Sequence, residues 1–138
     1  MAEIRNVFDV ASRAMAAQMV RLNTVASNLA NARSSAGTEE EAYRAIRPVF
    51  STEYDSNIRK SGLSTTDVVD VVALNRQPAR TYMPDHPSAD AEGYVYSAAV
   101  DVDEEMVEML EAGRQYQNNL EVVSTLRTLM LRTANMGK

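Results

Sequence analysis

Apolar residues near the start of the chain recur in alternating steps of four and three positions. The series is Ile4, Phe8, Ala11, Met15, Gln18, Leu22, Val25 and Leu29, in which only Gln18 is polar. Such steps place the side chains on one face of an α-helix, and their persistence over several turns makes a heptad seam. No proline or glycine precedes Gly37. We therefore predict an uninterrupted N-terminal helix of roughly 40 Å.

The last part of the chain carries a second apolar stripe with helical spacing. Its members are Met106, Met109, Leu110, Gly113, Tyr116, Leu120, Val123, Leu126 and Met130. Asp101, with Glu104 three positions later, resembles a capping box, and carboxylates are favoured at this end of a helix. Arg127, Arg132 and Lys138 lie near the other end, where cations are favoured. These signals predict a second long helix that begins near residue 101.

The middle of the chain differs in kind, because all four prolines lie between residues 48 and 87. Residues 43–53 and 66–74 are rich in β-branched or aromatic residues, and 79–83 and 93–97 are candidates for further short strands. The predicted fold class is therefore α+β, with long terminal helices paired as a coiled-coil-like domain and a small β-rich domain between them. The predicted boundaries are 1–33 for the first helix, 34–100 for the linker and insert, and 101–138 for the last helix.

Each predicted helix also has a polar stripe beside its apolar one. The first comprises Thr24, Ser27, Asn28 and Asn31, and the second comprises Arg114, Gln117, Asn118, Glu121 and Thr128. A stripe of this kind is either a solvated face or a surface that meets neighbouring subunits through side-chain hydrogen bonds. Both interpretations remain open at this point.

Charge and composition exclude several classes of function. The net charge of -5 argues against nucleic-acid binding, which needs a basic face. The absence of cysteine excludes disulfides and thiolate metal sites. No apolar run approaches the roughly 20 residues of a membrane helix, and the start of the chain lacks a signal-peptide pattern. The charges are unevenly placed, with nine acids and no lysine or arginine between residues 85 and 111.

The residues that could support catalysis have simpler interpretations. His86, the only histidine, lies in a proline-flanked loop and is interpreted as a turn residue. The acids Asp101, Asp103, Glu104 and Glu105 begin a helix, so capping explains them better than metal binding does. No phosphate-binding glycine loop or serine-centred elbow is present. We therefore expect no enzyme activity, no cofactor and no small-molecule substrate.

Residues 22–32 resemble the N-terminal signature of the flagellar rod and hook family, N-x-x-A-x-N-L-A-N. The matching positions are Asn23, Ala26, Asn28, Leu29, Ala30 and Asn31. The second half is similar to the C-type proximal rod subunits of that family, through residues 86–95, 100–107 and an R-x-Y-Q-x-N pattern from Arg114 to Asn119. Gly113 stands where that pattern has serine, which would permit a close helix approach or a bend. Residues 55–83 match poorly.

The resemblance implies a structural subunit that polymerises into the proximal rod and transmits torque from the membrane ring to the hook. It implies export by the flagellar type III apparatus without a cleaved signal peptide, and assembly in the periplasm. The implied partners are other rod proteins, copies of the chain itself and a ring–rod junction protein. Terminal helices of the family are thought to be poorly ordered before assembly. Another axial subunit of the family and a cytosolic coiled-coil adaptor remain alternatives.

We predict an assembly interface on both helices. On the first helix its residues are Phe8, Met15, Leu22, Asn23, Val25, Asn28, Leu29 and Asn31. On the last helix they are Met106, Leu110, Arg114, Tyr116, Asn119, Leu120, Val123 and Met130.

Overall fold

A long helix stands at each end of the computed structural model, which describes residues 6–54 and 63–137. Helix α1 spans Val7–Asn31 and helix α2 spans Val102–Met136. The strands between them are β1 (Ser35–Ala36), β2 (Ile46–Tyr54), β3 (Ser64–Ala73), β4 (Arg80–Tyr82) and β5 (Tyr94–Ser97). This order confirms the predicted α+β fold class. Neither helix has a stretch, within the described residues, that is long and apolar enough to cross a membrane.

Both helices begin at a side-chain cap. The Asn6 side chain accepts a hydrogen bond from the Asp9 amide at 3.1 Å. The Asp101 carboxylate accepts from the amides of Asp103 and Glu104 at 3.0 and 3.2 Å. These bonds satisfy amides that have no partner inside the helix. The interpretation of the acids at 101–104 as a helix start is therefore confirmed.

The strands form two separate antiparallel sheets. In the first, β2 and β3 form a hairpin that runs from Ile46 opposite Ala73 to Tyr54 opposite Ser64, with a register shift between Val49 and Phe50. In the second, the strand order is β1-β5-β4. A two-stranded hairpin is marginally stable alone and needs a surface to pack on. Here both of its strands contact α1.

The buried interior is built from small residues. The buried apolar side chains are Ala11, Ala17, Val25, Ala42, Ala45, Val95 and Ala112. The accessible surface is 9649 Å², whereas a compact monomer of the same 15.2 kDa mass would expose about 7,100 Å². Among the described residues, five of these seven buried apolar side chains are alanines, so burial removes little apolar area per residue. The isolated chain is an extended molecule with a thin core.

Two glycines, Gly93 and Gly113, differ in whether the fold requires them, and only Gly93 is required. Gly93 has φ of +83°, and a Cβ there would lie 2.9 Å from a Tyr82 ring carbon and 3.1 Å from the Pro84 Cβ. Just before it in the same loop, Asp90 accepts hydrogen bonds from the amides of Glu92 and Tyr94 at 2.9 and 2.8 Å. Gly113 differs, because no described atom lies within 4 Å of the Cβ that alanine would add. The expectation that Gly113 permits a close helix approach is therefore wrong within this chain.

Alanine at these two glycines should change stability in opposite directions. Gly93→Ala should lower the free energy of unfolding by about 1–2 kcal/mol or more, because of its positive φ and the contact with Tyr82. Gly113→Ala should raise it by about 0.5–1 kcal/mol, because alanine loses less backbone entropy in a helix. Urea denaturation of both variants measures this difference. If both variants changed the free energy of unfolding by the same amount in the same direction, the positive φ at Gly93 and the open helical site at Gly113 would both be contradicted.

Candidate assembly interface

Asn28 connects the end of α1 to the rest of the chain. Its side chain is fully buried, at 0% exposure. Its Nδ2 donates to the Ile46 carbonyl and to Glu105 Oε2, each at 3.0 Å. Its Oδ1 accepts from the Ile46 amide at 2.9 Å and from the Tyr43 hydroxyl at 3.0 Å. One amide group therefore joins α1, β2 and α2.

Glu105 is a buried carboxylate with a charged partner. The Glu105 side chain is 0% exposed, and a guanidinium nitrogen of Arg47 lies 2.6 Å from its Oε1. Burial disfavours the charge on Arg47, but the hydrogen bond and the charge of Glu105 outweigh it and raise the pKa of Arg47 above its usual range. Arg47 thus gives the Glu105 carboxyl group a counter-charge, and Asn28 gives it a hydrogen-bond donor. We call Asn28, Arg47 and Glu105 the buried cluster.

Two more arginines bind the first turns of α2. Arg76, which follows β3, donates from both terminal nitrogens to Glu104 at 2.7 and 2.9 Å. This hydrogen bonding lowers the pKa of Glu104 below its ordinary value of 4.5. Arg21 of α1 donates to Glu108 at 2.6 and 2.9 Å and lies 3.6 Å from Glu111. Arginines from α1, β2 and the segment after β3 therefore pair with four of the nine acids in this run, namely Glu104, Glu105, Glu108 and Glu111.

The structure places the predicted interface residues of α1 mostly toward the interior. Val25 and Asn28 are buried, and Asn23 is exposed. The half-buried ones are Phe8, Met15, Leu22, Leu29 and Asn31. Ile4, the first member of the predicted seam, lies outside the described residues.

The polar stripe beside the α1 seam has its hydrogen bonds within the chain. Thr24 donates to the Arg21 carbonyl at 2.8 Å, and Asn31 donates to the Ser27 carbonyl at 2.9 Å. The Ser27 hydroxyl lies 3.2 Å from that of Tyr43. These hydrogen bonds lie within one chain, so the stripe is more than a solvated face, and its contact with neighbouring subunits stays a prediction.

On α2 the structure separates the predicted residues into two groups. The exposed ones are Met106, Leu110, Arg114, Leu120 and Met130, and the half-buried ones are Tyr116, Asn119 and Val123. The side chains of α2 that are buried are instead Glu105 and Ala112. The sequence analysis missed both, together with Arg47. A seven-residue spacing from Glu105 through Ala112 to Asn119 was a signal for the burial of the two α2 residues, but not for their partners or for Arg47.

Large apolar side chains stay exposed along most of α2. They are Val102, Met106, Val107, Met109, Leu110, Leu120, Val122, Leu129, Met130, Leu131 and Met136. Leu110, for example, is 72% exposed. The antiparallel pairing of Asn28 with Glu105 brings Val7 level with about Leu126. At 1.5 Å per residue, the end of α2 therefore extends about 15 Å past the described start of α1.

The described residues offer little for catalysis. In ranges 6–54 and 63–137, no group of three or more acids or histidines is placed to hold a metal ion. His86 lies in the β4–β5 loop, where its Nδ1 accepts a hydrogen bond from the Ser88 amide at 3.1 Å. Exposed apolar surface of the extent seen on α2 marks interaction sites. The fold and this surface are typical of a protein that binds partners through a helix face.

Comparison with known proteins identifies the family. A family model described as "Flagella basal body rod protein" matches residues 8–32, and one described as "Flagellar basal body rod FlgEFG protein C-terminal" matches residues 91–136. The chain is 41% identical over 133 residues to the flagellar basal-body rod protein FlgC of Escherichia coli O6:H1 and of Salmonella typhimurium, covering 96% of this chain and 97% of each relative. It is 36% identical to the FlgC of Aquifex aeolicus over the full length of both.

The chain therefore belongs to the flagellar basal-body rod proteins, and within them to the FlgC type, which makes it a structural subunit of the proximal rod. This confirms the predicted family and the C-type assignment over the two alternatives. The relatives are structural proteins, so the role is structural rather than catalytic. Its partners include other rod proteins, and its location is the flagellar basal body.

Removal of the buried arginine should cost far more stability than removal of the exposed one. Arg47→Met leaves the Glu105 carboxylate buried without its counter-charge, and should lower the free energy of unfolding by about 3–5 kcal/mol. The side chain of Arg76 is 41% exposed. Arg76→Met should therefore cost much less than Arg47→Met, because solvent screens an exposed ion pair. Urea denaturation compares the two, and equal losses would contradict the role given to burial.

The pKa of Glu104 gives the stability a specific pH dependence. A carboxyl group with a lowered pKa stabilises the fold above its unfolded pKa, near 4.5, and loses that contribution as the pH falls through the folded pKa. Against Glu104→Gln, the wild-type chain should therefore have an advantage at neutral pH that disappears in acid. Thermal denaturation from pH 7 to pH 3 measures it. If the stability advantage of the wild-type chain over Glu104→Gln increased below pH 4.5, the lowered pKa of Glu104 would be contradicted.

Proposed function

We propose that the exposed apolar residues of α2 bind copies of this chain and other rod proteins. The assembly so formed would transmit torque from the membrane ring to the hook. The observation that carries this proposal is the length of α2 that has no partner among the described residues. Large apolar side chains on a surface helix cost solubility unless a partner covers them. A rod made of side-by-side helices would cover them.

The free energy of such contacts is large enough for a subunit that bears a mechanical load. Burying one leucine or methionine side chain contributes about 1.5–3 kcal/mol. The eleven exposed apolar side chains of α2 could together exceed the cost of association, which is about 4–15 kcal/mol. Many moderate contacts spread along a helix resist shear better than one strong contact does. The half-buried positions of α1, including Phe8, Met15 and Leu22, would complete the same interface.

We propose the same division of the chain that the sequence predicted. Residues 1–33 and 101–138 would form the axial domain, and residues 34–100 would form the linker and the insert. The arginines support this division, because Arg47 and Arg76 attach the insert to the first turn of α2. Torque applied to the insert would then reach the helix pair through ion pairs rather than through a flexible linker.

We further propose that the flagellar type III apparatus exports the chain without cleavage of a signal peptide, and that assembly takes place in the periplasm. A ring–rod junction protein would be a further partner. Support for this comes from the family, whose members are basal-body rod proteins. The thin core of small residues is also compatible with a chain that is threaded unfolded, since little buried area must be lost.

Leu120→Asp should prevent incorporation into the rod while leaving export intact. Leu120 is 51% exposed in the single chain, so the carboxylate should barely disturb the fold, yet it would be buried without a partner in an assembled rod. We expect incorporation to fall at least about tenfold. Immunoblots of isolated basal bodies and of secreted protein measure the two steps separately.

Gln117→Asp is the matched control, because it adds the same charge to an exposed polar position one turn away. It should incorporate normally. If Leu120→Asp also incorporated normally, the exposed apolar residues of α2 would not be the assembly surface. If both variants failed equally, the added charge rather than the apolar contact would be responsible.

A further inference from the structure

We infer that the buried cluster of Asn28, Arg47 and Glu105 fixes the register of α1 against α2. Register means which residue of one helix lies level with which residue of the other. The inference rests on three observations: the burial of the cluster, the contacts of its members, and the uniformity of the remaining seam.

The apolar part of the seam is too uniform to choose one register. Its fully buried members are small, namely Ala11, Ala17 and Val25 on α1 and Ala112 on α2, and larger seam residues such as Leu22 and Tyr116 are only half-buried. Both helices repeat their apolar positions at heptad spacing. A slide of one heptad moves a helix by about 10.5 Å and again places apolar positions opposite apolar positions. Alanine side chains present no large knob that would clash or leave a large cavity after such a slide.

The cluster does distinguish the registers. Glu105 is 0% exposed, and Arg47 and Asn28 approach its carboxylate at 2.6 and 3.0 Å. A slide of one heptad in either direction carries Glu105 away from Asn28, which is itself fixed to β2 through both backbone groups of Ile46. A buried ion that loses its partners is strongly destabilising. A single buried polar group is known to specify register in paired helices in this way.

The register has a consequence for the exposed end of α2. It decides how far Arg127 and the residues after it extend beyond α1, and so which apolar side chains a neighbour meets. That consequence rests on the proposed function. The register lock itself does not, because it lies within one chain.

Cysteine cross-linking of the purified full-length chain tests the inference. The chain has no cysteine of its own. Gln18 and Gln115 line one groove between the helices, so Gln18→Cys with Gln115→Cys reports the native register. Gln18→Cys with Val122→Cys reports a slide of one heptad in one direction, and Ala11→Cys with Gln115→Cys reports the other while keeping the Arg21–Glu108 ion pair. A short thiol-specific cross-linker and mass spectrometry give the yield of each pair.

The decisive variant is Arg47→Met with Glu105→Met, which removes both charges and keeps apolar volume. Such a replacement usually preserves stability, so circular dichroism should still show the helices. The ratio of native to shifted cross-link should nevertheless fall by roughly tenfold, which corresponds to about 1.4 kcal/mol. Glu105→Gln keeps one acceptor oxygen in place of the two that face Asn28 and Arg47, so it should give a ratio between that of the native chain and that of the double variant.

Arg80→Met with Glu92→Met is the matched control, because it removes an ion pair of 2.8 Å that lies on the small sheet and away from the helices. It should not alter the cross-link ratio. An unchanged ratio in the Arg47→Met, Glu105→Met variant would overturn the inference, and so would loss of its helical signal, since the cluster would then supply stability and not register. The inference would also be overturned if the chain with Arg47 and Glu105 unchanged gave equal cross-linking yields for the three cysteine pairs. None of these outcomes depends on rod assembly, so failure of the proposed function would be seen separately.

Discussion

The pairing of Glu105 with Arg47 and Asn28 is the interaction on which the rest of the structure depends. A carboxylate at 0% exposure is stable only where a counter-charge and a hydrogen-bond donor both reach it. Here the donor comes from α1 and the counter-charge from β2. Three elements that are distant in sequence must therefore be in place together. This ion therefore favours one arrangement of the β hairpin, the end of α1 and the start of α2 relative to one another.

The protein buries little apolar surface in its own core. Its buried apolar residues are alanines and two valines, while leucines and methionines of α2 remain exposed. A monomeric enzyme of this length would bury them. In a rod subunit they are available for neighbours, which is why the accessible surface of 9649 Å² is large for 138 residues. Stability that other proteins take from their core would here come from assembly.

Local signals in the sequence predicted much of this fold, and non-local contacts explain what they did not predict. The heptad spacing and the cap at Asp101 depend on neighbours within a few positions, so both helices could be foreseen. The role of Glu105 could not, because its partners lie 77 and 58 positions away, at Asn28 and Arg47. As a third acid in a helix start it also had a sufficient local explanation. The stripe that contains Met106 and Leu110 is more apolar than the one that contains Glu105, so the sequence pattern favoured it as the contact face. In the structure, however, Met106 and Leu110 are exposed to solvent.

The ion pairs at the start of α2 explain part of the uneven charge along the chain. The acids at the start of α2 are neutralised by Arg21, Arg47 and Arg76. Arginines of α1 and the insert thus hold the base of α2, and the charges there serve contacts within the subunit. Exposed apolar side chains occupy another face of these same turns, at Met106 and Leu110, and continue along the helix to Met136. The first turns of α2 therefore combine a charged face that contacts the rest of the subunit with an apolar face that is exposed to solvent.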